Sequence, residues 1–135
     1  MWSHIDLELL NRLPKKPMNG ANADSPSWSR VATVLAVFNQ EYTEDDWDGQ
    51  GATAISYAVI ECATEFAKSL ETQGVAAPLW TVPTFESSVA FEWDRLDGSS
   101  IEIEITSSRY FTREKQTPFQ TARLANSFSP VAAGL

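Results

Sequence analysis

The chain has 135 residues, 43% of them hydrophobic and 21% charged, so it has the length of one ordinary domain and the composition of one that buries a core. Its formal net charge is -8, from 18 acidic and 10 basic residues, which sets it against phosphate backbones and anionic membrane surfaces and favours basic partners. A single cysteine, Cys62, and a single histidine, His4, exclude an intrachain disulfide and a Cys/His zinc site, and leave only a terminal histidine for any nucleophilic triad.

No apolar run approaches the ~20 residues of a membrane span. The N-terminus also lacks the basic-then-apolar order of a secretory signal. The expectation is a soluble cytoplasmic protein with no cofactor, no nucleic-acid or membrane partner, and no metal.

In chain order, Ser3 to Leu13 reads as a short helix capped by Ser3, with Ile5, Leu9 and Leu13 on one stripe and Pro14 and Pro17 ending it. PKKPMNGANADSPS, residues 14–27, is a loop by composition. Residues 1–25 are therefore expected to form an arm outside a core domain of residues 26–115. Ser25-Pro26 offers a helix start, and Trp28, Val31, Leu35, Phe38 and Tyr42 follow at helical spacing, giving a second helix over 26–41. Val31, Thr33, Val34 and Val37 pull the other way through their β propensity.

EYTEDDWDGQGA, residues 41–52, is a polar turn. Ser56 then caps a third helix running to about Thr72, whose apolar face is Val59, Cys62, Ala63, Phe66, Ala67 and Leu70. Gly74 is its expected stop. On that face Cys62 reads as a small buried hydrophobe.

After Pro78 the period becomes two. Leu79–Thr84, Ser88–Asp94, Ser99–Thr106 and Arg109–Glu114 read as four strands of an antiparallel meander. Val89, Phe91 and Trp93 must share a face with Ile101, Ile103 and Ile105. A two-residue Asp97-Gly98 turn would mix the faces, whereas a three-residue loop, Leu96-Asp97-Gly98, pairs Trp93 with Ile101, Phe91 with Ile103 and Val89 with Ile105. That register sets Glu92 opposite Glu102. A Ser107-Ser108 turn then brings Arg113 opposite Glu102 and Tyr110 opposite Ile105. The polar face would carry Asp94, Glu92, Glu102, Glu104, Phe111 and Arg113 in water. Thr117-Pro118 with Gln120 resembles a capping box that starts a last short helix to about Ala125, within a terminal segment of residues 116–135.

The fold class expected is α+β in two layers, with helices on one face of a four-stranded antiparallel meander.

Two patterns invite chemistry. Glu44, Asp46 and Asp48 before Gly49 match the first half of a calcium-binding loop, but its twelfth position holds Ile55 instead of a bidentate Glu. A charge-rich turn is the plainer reading, with Asp48 accepting backbone N–H groups. Trp47 is expected to pack over a sheet–helix junction. Glu92, Glu102 and Glu104 could form a hydrolytic carboxylate set, yet a flat face with Arg113 nearby offers neither a concave pocket nor a raised pKa. Gly49-Gln50-Gly51 lacks the strand and lysine of a phosphate loop.

The run Trp47-Asp48-Gly49-Gln50-Gly51-Ala52, the helix opening at Ile55-Ser56, Phe91-Glu92-Trp93, and Ile101-Glu102-Ile103-Glu104-Ile105 resemble a group of small prokaryotic and phage-type proteins. These share a WDGxGA turn, a helix, a strand ending in EW and an IEI strand. The resemblance covers about residues 44–106, and Ala54 stands where that group commonly has proline. It implies a common fold and a bacterial or phage source, and brings no activity, cofactor or catalytic residue.

The functional expectation is a non-enzymatic protein-interaction module (an inhibitor, an antitoxin-like or an anti-defence partner), whose surface would draw on Trp47, Asp48, Glu92, Asp94, Glu102, Glu104, Phe111 and Arg113. The alternative is a small-molecule or carbohydrate-binding protein, or a carboxylate-dependent hydrolase, using Trp47, Trp80 and the carboxylates.

Overall fold

The computed structural model describes residues 5–16 and 26–116. Three helices, α1 (Leu7–Arg12), α2 (Trp28–Glu41) and α3 (Tyr57–Thr72), precede four strands, β1 (Trp80–Thr84), β2 (Ser88–Asp94), β3 (Ser100–Ile105) and β4 (Tyr110–Lys115). The strands form one antiparallel sheet in the order β1-β2-β3-β4. This is the α+β meander expected from the switch in period. The expected helix after Thr117 and the Ser3 cap lie outside the described residues.

α3 follows directly from its sequence. The Ser56 hydroxyl accepts the Val59 N–H at 3.2 Å, and Val59, Cys62, Ala63, Phe66, Ala67 and Leu70 are buried. At its other end Gly74 adopts φ +80°, Val75 N–H donates to the Leu70 carbonyl and Gly74 N–H to Glu71, each at 3.1 Å. This pair of bonds is a Schellman closure, which needs a left-handed residue where Gly74 stands.

α2 starts two residues later than expected. Ser27, with extended backbone, is the cap and its hydroxyl accepts the Arg30 N–H at 3.1 Å. Ser25-Pro26 and Ser27 offer rival starts, and the tertiary anchor decides between them. The Trp28 indole donates to the Val75 carbonyl at 2.9 Å, which holds the first residue of the helix against the end of α3.

The first helix is shorter than expected and is capped by Asp6, whose carboxylate accepts the Glu8 N–H at 3.0 Å. It is also no detached arm. Leu9, Leu10 and Leu13 are buried in the common core. Residues 14–16 run beside 74–76, with Ala76 N–H donating to Pro14 at 2.9 Å and Lys16 N–H to Gly74 at 2.8 Å. Leucines spaced to make one apolar stripe need a surface to cover, and the core supplies it.

The sheet register is the one derived from face matching. Val89 pairs with Ile105, Phe91 with Ile103, Glu92 with Glu102 and Trp93 with Ile101. Arg95 and Ser99 close the three-residue loop, with Gly98 at φ +86° donating to the Arg95 carbonyl at 2.9 Å. Glu102 pairs with Arg113 and Ile105 with Tyr110. The aromatic and isoleucine face packs under α2 and α3, and Phe66 and Tyr110 meet at 5.2 Å between ring centroids. The Trp93 indole reaches the Ala76 carbonyl at 2.7 Å, so two tryptophans hold consecutive carbonyls of the segment leaving α3.

Candidate functional site

With the helices on one side, the opposite side of the sheet is composed by register alone. In β1 the outward residues are Trp80, Val82 and Thr84, which pair with Glu92, Ala90 and Ser88 of β2. Continuing across, one row reads Trp80, Glu92, Glu102, Arg113, and the next reads Val82, Ala90, Glu104, Phe111. Directly paired residues bring their Cβ atoms to about 4.5–5.5 Å, so each row is a line of touching side chains. No described helix lies over this face, and Trp80 is 57% exposed, Val82 42% and Phe111 41%. The surface is an acidic centre edged by aromatic and aliphatic groups.

Glu104 departs from the solvated face expected of it, for it is only 8% exposed. Its carboxylate accepts the Ser88 hydroxyl at 2.6 Å and the Arg113 guanidinium at 2.8 Å. Ser88 is itself fully buried and hydrogen-bonded to the Thr84 hydroxyl. The Ser88 bond, opposed by burial and reinforced by Arg113, holds the Glu104 carboxyl below the ordinary glutamate value. Alternation places Glu104 on the outer face correctly. It says nothing of the buried Ser88 on the same face, whose hydroxyl makes burial of the carboxylate tolerable. Arg113 also approaches Glu102 at 3.6 Å, and Glu104 and Glu102 in turn raise its pKa.

Glu92 and Asp94 have no ion pair or side-chain hydrogen bond among the described residues, although Glu92 is half-buried between Trp80 and Glu102. Arg95, the residue just after β2, turns instead to Glu114 at 3.0 Å. Phe111 is overlain by the Arg109 guanidinium at 5.2 Å from its centroid.

Trp47 and Asp48 lie elsewhere. Trp47 sits against Tyr42 at 4.6 Å between centroids, beyond the end of α2, and its indole donates to Thr53 at 3.0 Å. It therefore caps the helix layer and takes no part in the outer sheet face. Trp47 and Trp80 are also held apart. Thr53 is tied to Phe85 and Glu86 just past β1, while Trp80 is the first residue of that strand, roughly 16 Å away at ~3.3 Å per residue.

The acidic turn spends its oxygens on its own backbone. Asp48 accepts the Gln50 and Ala52 N–H groups at 2.8 and 3.0 Å, Asp46 accepts Gly51 at 2.7 Å, and Asp45 accepts Ala54 at 2.9 Å. The Gln50 and Ala52 bonds hold the Asp48 carboxyl below its usual value. Carboxylates aimed at amides do not converge on a cation, and among the described residues no group of three or more His, Cys, Asp or Glu is placed to hold a metal ion. The plainer reading of the turn stands. Cys62 is buried, its Sγ lies 3.4 Å from the Ser107 carbonyl, and burial pushes its thiol pKa up.

Sequence reasoning placed Glu92, Asp94, Glu102, Glu104, Phe111 and Arg113 on one face but left out Val82 and Ser88. The signal was present: alternation along β2 puts Ser88 on the side of Glu92, and carrying the same register one strand further, to β1, puts Val82 there. No helix among the described residues is long and apolar enough to cross a membrane. Comparison with protein-family models, curated proteins and solved structures returns no match.

Proposed function

We propose that this protein is a non-enzymatic protein-interaction module of bacterial or phage type, acting in the cytoplasm, that engages its partner through the outer face of the sheet. The observation that carries this reading is the trio Trp80, Val82 and Phe111, all on one face and all substantially exposed, with no described helix above them. Tryptophan and arginine are the side chains that most often anchor protein interfaces, and Trp80 and Arg113 end the same cross-strand row. The formal net charge of -8 also favours a basic partner.

A hydrolytic use of the carboxylates gains no support from this geometry. A general acid needs a raised pKa, and the most enclosed carboxyl on the face, Glu104, is held low by Ser88 and Arg113. Trp47 belongs to the helix layer and Trp80 to the outer sheet face, so a sugar site that uses both gains no support.

Site-specific photo-crosslinking in the native host tests the proposal. A benzophenone side chain at position 82 or 111 is expected to give a discrete higher-mass adduct with another protein, and one at Glu65, on the solvent side of α3, to give none. Equal labelling from all three positions, or no adduct from 82 and 111, refutes the interface.

A further inference from the structure

The charges on the outer face are unevenly satisfied, and that unevenness points to the chemistry of the partner. Arg113 serves Glu104 at 2.8 Å and Glu102 at 3.6 Å. Glu92 and Asp94, two residues apart on β2 and therefore on the same side of the sheet, make no ion pair among the described residues. Lys115 shares a row with Asp94 through Ser100, but it stands two strands away, about 10 Å by strand spacing. The next residue, Arg95, is committed to Glu114.

Directly opposite Glu92 is Trp80, more than half exposed. An exposed indole next to an unpaired, half-buried carboxylate is a cation site of two complementary kinds. The ring face attracts a guanidinium or ammonium through its quadrupole, and the carboxylate supplies charge and hydrogen-bond acceptors. One step along the sheet, Val82, 42% exposed above the buried Ala90, offers an apolar seat. In an extended segment alternate side chains repeat at about 7 Å, the same repeat that separates Trp80 from Val82.

We infer that the partner presents a basic, extended segment, with an arginine or lysine seated between Trp80, Glu92 and Asp94 and an apolar side chain two residues away on Val82. This rests on the reading of the outer face as a protein interface. A second copy of this chain is a poor occupant, since it would bring another Glu92 and Asp94 against the first pair. Acidic segments and nucleic acids meet the same repulsion.

The test is fluorescence anisotropy with the full chain and two labelled peptides that differ at one position. One carries Arg and Leu two residues apart in a Ser/Thr background, and the other carries Glu in place of Arg. The Arg peptide is expected to bind, more tightly as ionic strength falls, and the Glu peptide to bind at least about tenfold more weakly. Trp80→Ala and the double variant Glu92→Gln/Asp94→Asn should each weaken the Arg peptide by about tenfold. A triple variant on the exposed side of α3, Glu61→Gln/Glu65→Gln/Glu71→Gln, removes more charge and should change binding less than about twofold if the site is local. Circular dichroism of each variant checks that the fold is retained.

A triple variant that weakens binding as much as the double one overturns the inference, because only net charge would then matter. No binding of the Arg peptide at millimolar concentration also overturns it. Equal binding of the Glu peptide sinks the basic partner while leaving the interface itself in place. A dimer by light scattering that Val82→Glu dissociates overturns it as well, assigning the face to self-association.

Discussion

Glu104→Gln removes a buried charge while keeping the size and shape of the side chain. In the native protein the carboxylate receives one hydrogen bond from a buried hydroxyl, Ser88, at 2.6 Å and one from Arg113 at 2.8 Å. Hydrogen bonds to a charged group contribute about 1.5–3 kcal/mol each, but the Arg113 side chain is 57% exposed and its share falls toward ~0.5–1 kcal/mol. Glutamine can still accept from Arg113 and donate to Ser88, so part of both bonds survives. The expected net loss is about 2 kcal/mol at pH 7, a fall of roughly 1 M in the urea midpoint at a slope of ~2 kcal/mol/M. The loss also depends on pH. The folded-state carboxyl is held below its ordinary value of 4.5, so its stabilisation is fully present above about pH 4.5 and drains away as pH falls through the lowered folded value. The gap between native protein and variant must therefore narrow in acid. Urea titrations by tryptophan fluorescence at pH 7 and across the acid limb measure both effects. A loss under ~0.5 kcal/mol at pH 7, or a gap that stays constant into acid, would refute the network as described.

Three further outcomes follow from the packing. Leu9→Ala, at a residue 1% exposed, should cost about 2–5 kcal/mol by chemical denaturation, because α1 belongs to the core; a cost under ~0.5 kcal/mol would restore the view of a loose arm. Asp48→Ala should speed hydrogen exchange at the Gln50 and Ala52 amides, whose acceptor it removes, while leaving amides in β2 and β3 unchanged. Cys62 should resist thiol reagents at neutral pH and react fully in denaturant, since burial both shields it and raises its pKa; rapid labelling of the native protein would contradict its place on the inner face of α3.

How far the sequence could be read differs by element. α3 and the β2–β3–β4 register were legible because each is decided by local periodicity plus one constraint, that apolar side chains share a face. A one-residue slip would turn every isoleucine of β3 into water, so the pattern admits a single solution. The WDGQGA turn was legible for a related reason, since short acidic side chains near glycines bond their own backbone. The start of α2 was not. Two serines stood in competition, and the choice rested on an indole bonding a carbonyl 47 residues away. The candidate site divides along the same line. Its charged members on β2, β3 and β4 came from alternation, whereas the uneven pairing, which among the described residues leaves Glu92 and Asp94 without an ion pair and encloses Glu104, came from where Ser88 is buried and how far Arg113 reaches.

By itself, then, the order of residues determined which elements form, which face of each is apolar, and which strand lies beside which. Those are short-range matters of period, capping and turn length. The tertiary structure alone decided that the first helix joins the core, that Trp47 stays with the helix layer, and that a glutamate on the water side of a sheet is sealed by a serine and an arginine. The first and last depend on contacts between strands and segments apart in sequence, and the second on a turn that folds Trp47 back onto Tyr42 and Thr53, where burial and hydrogen bonding outweigh what periodicity can encode.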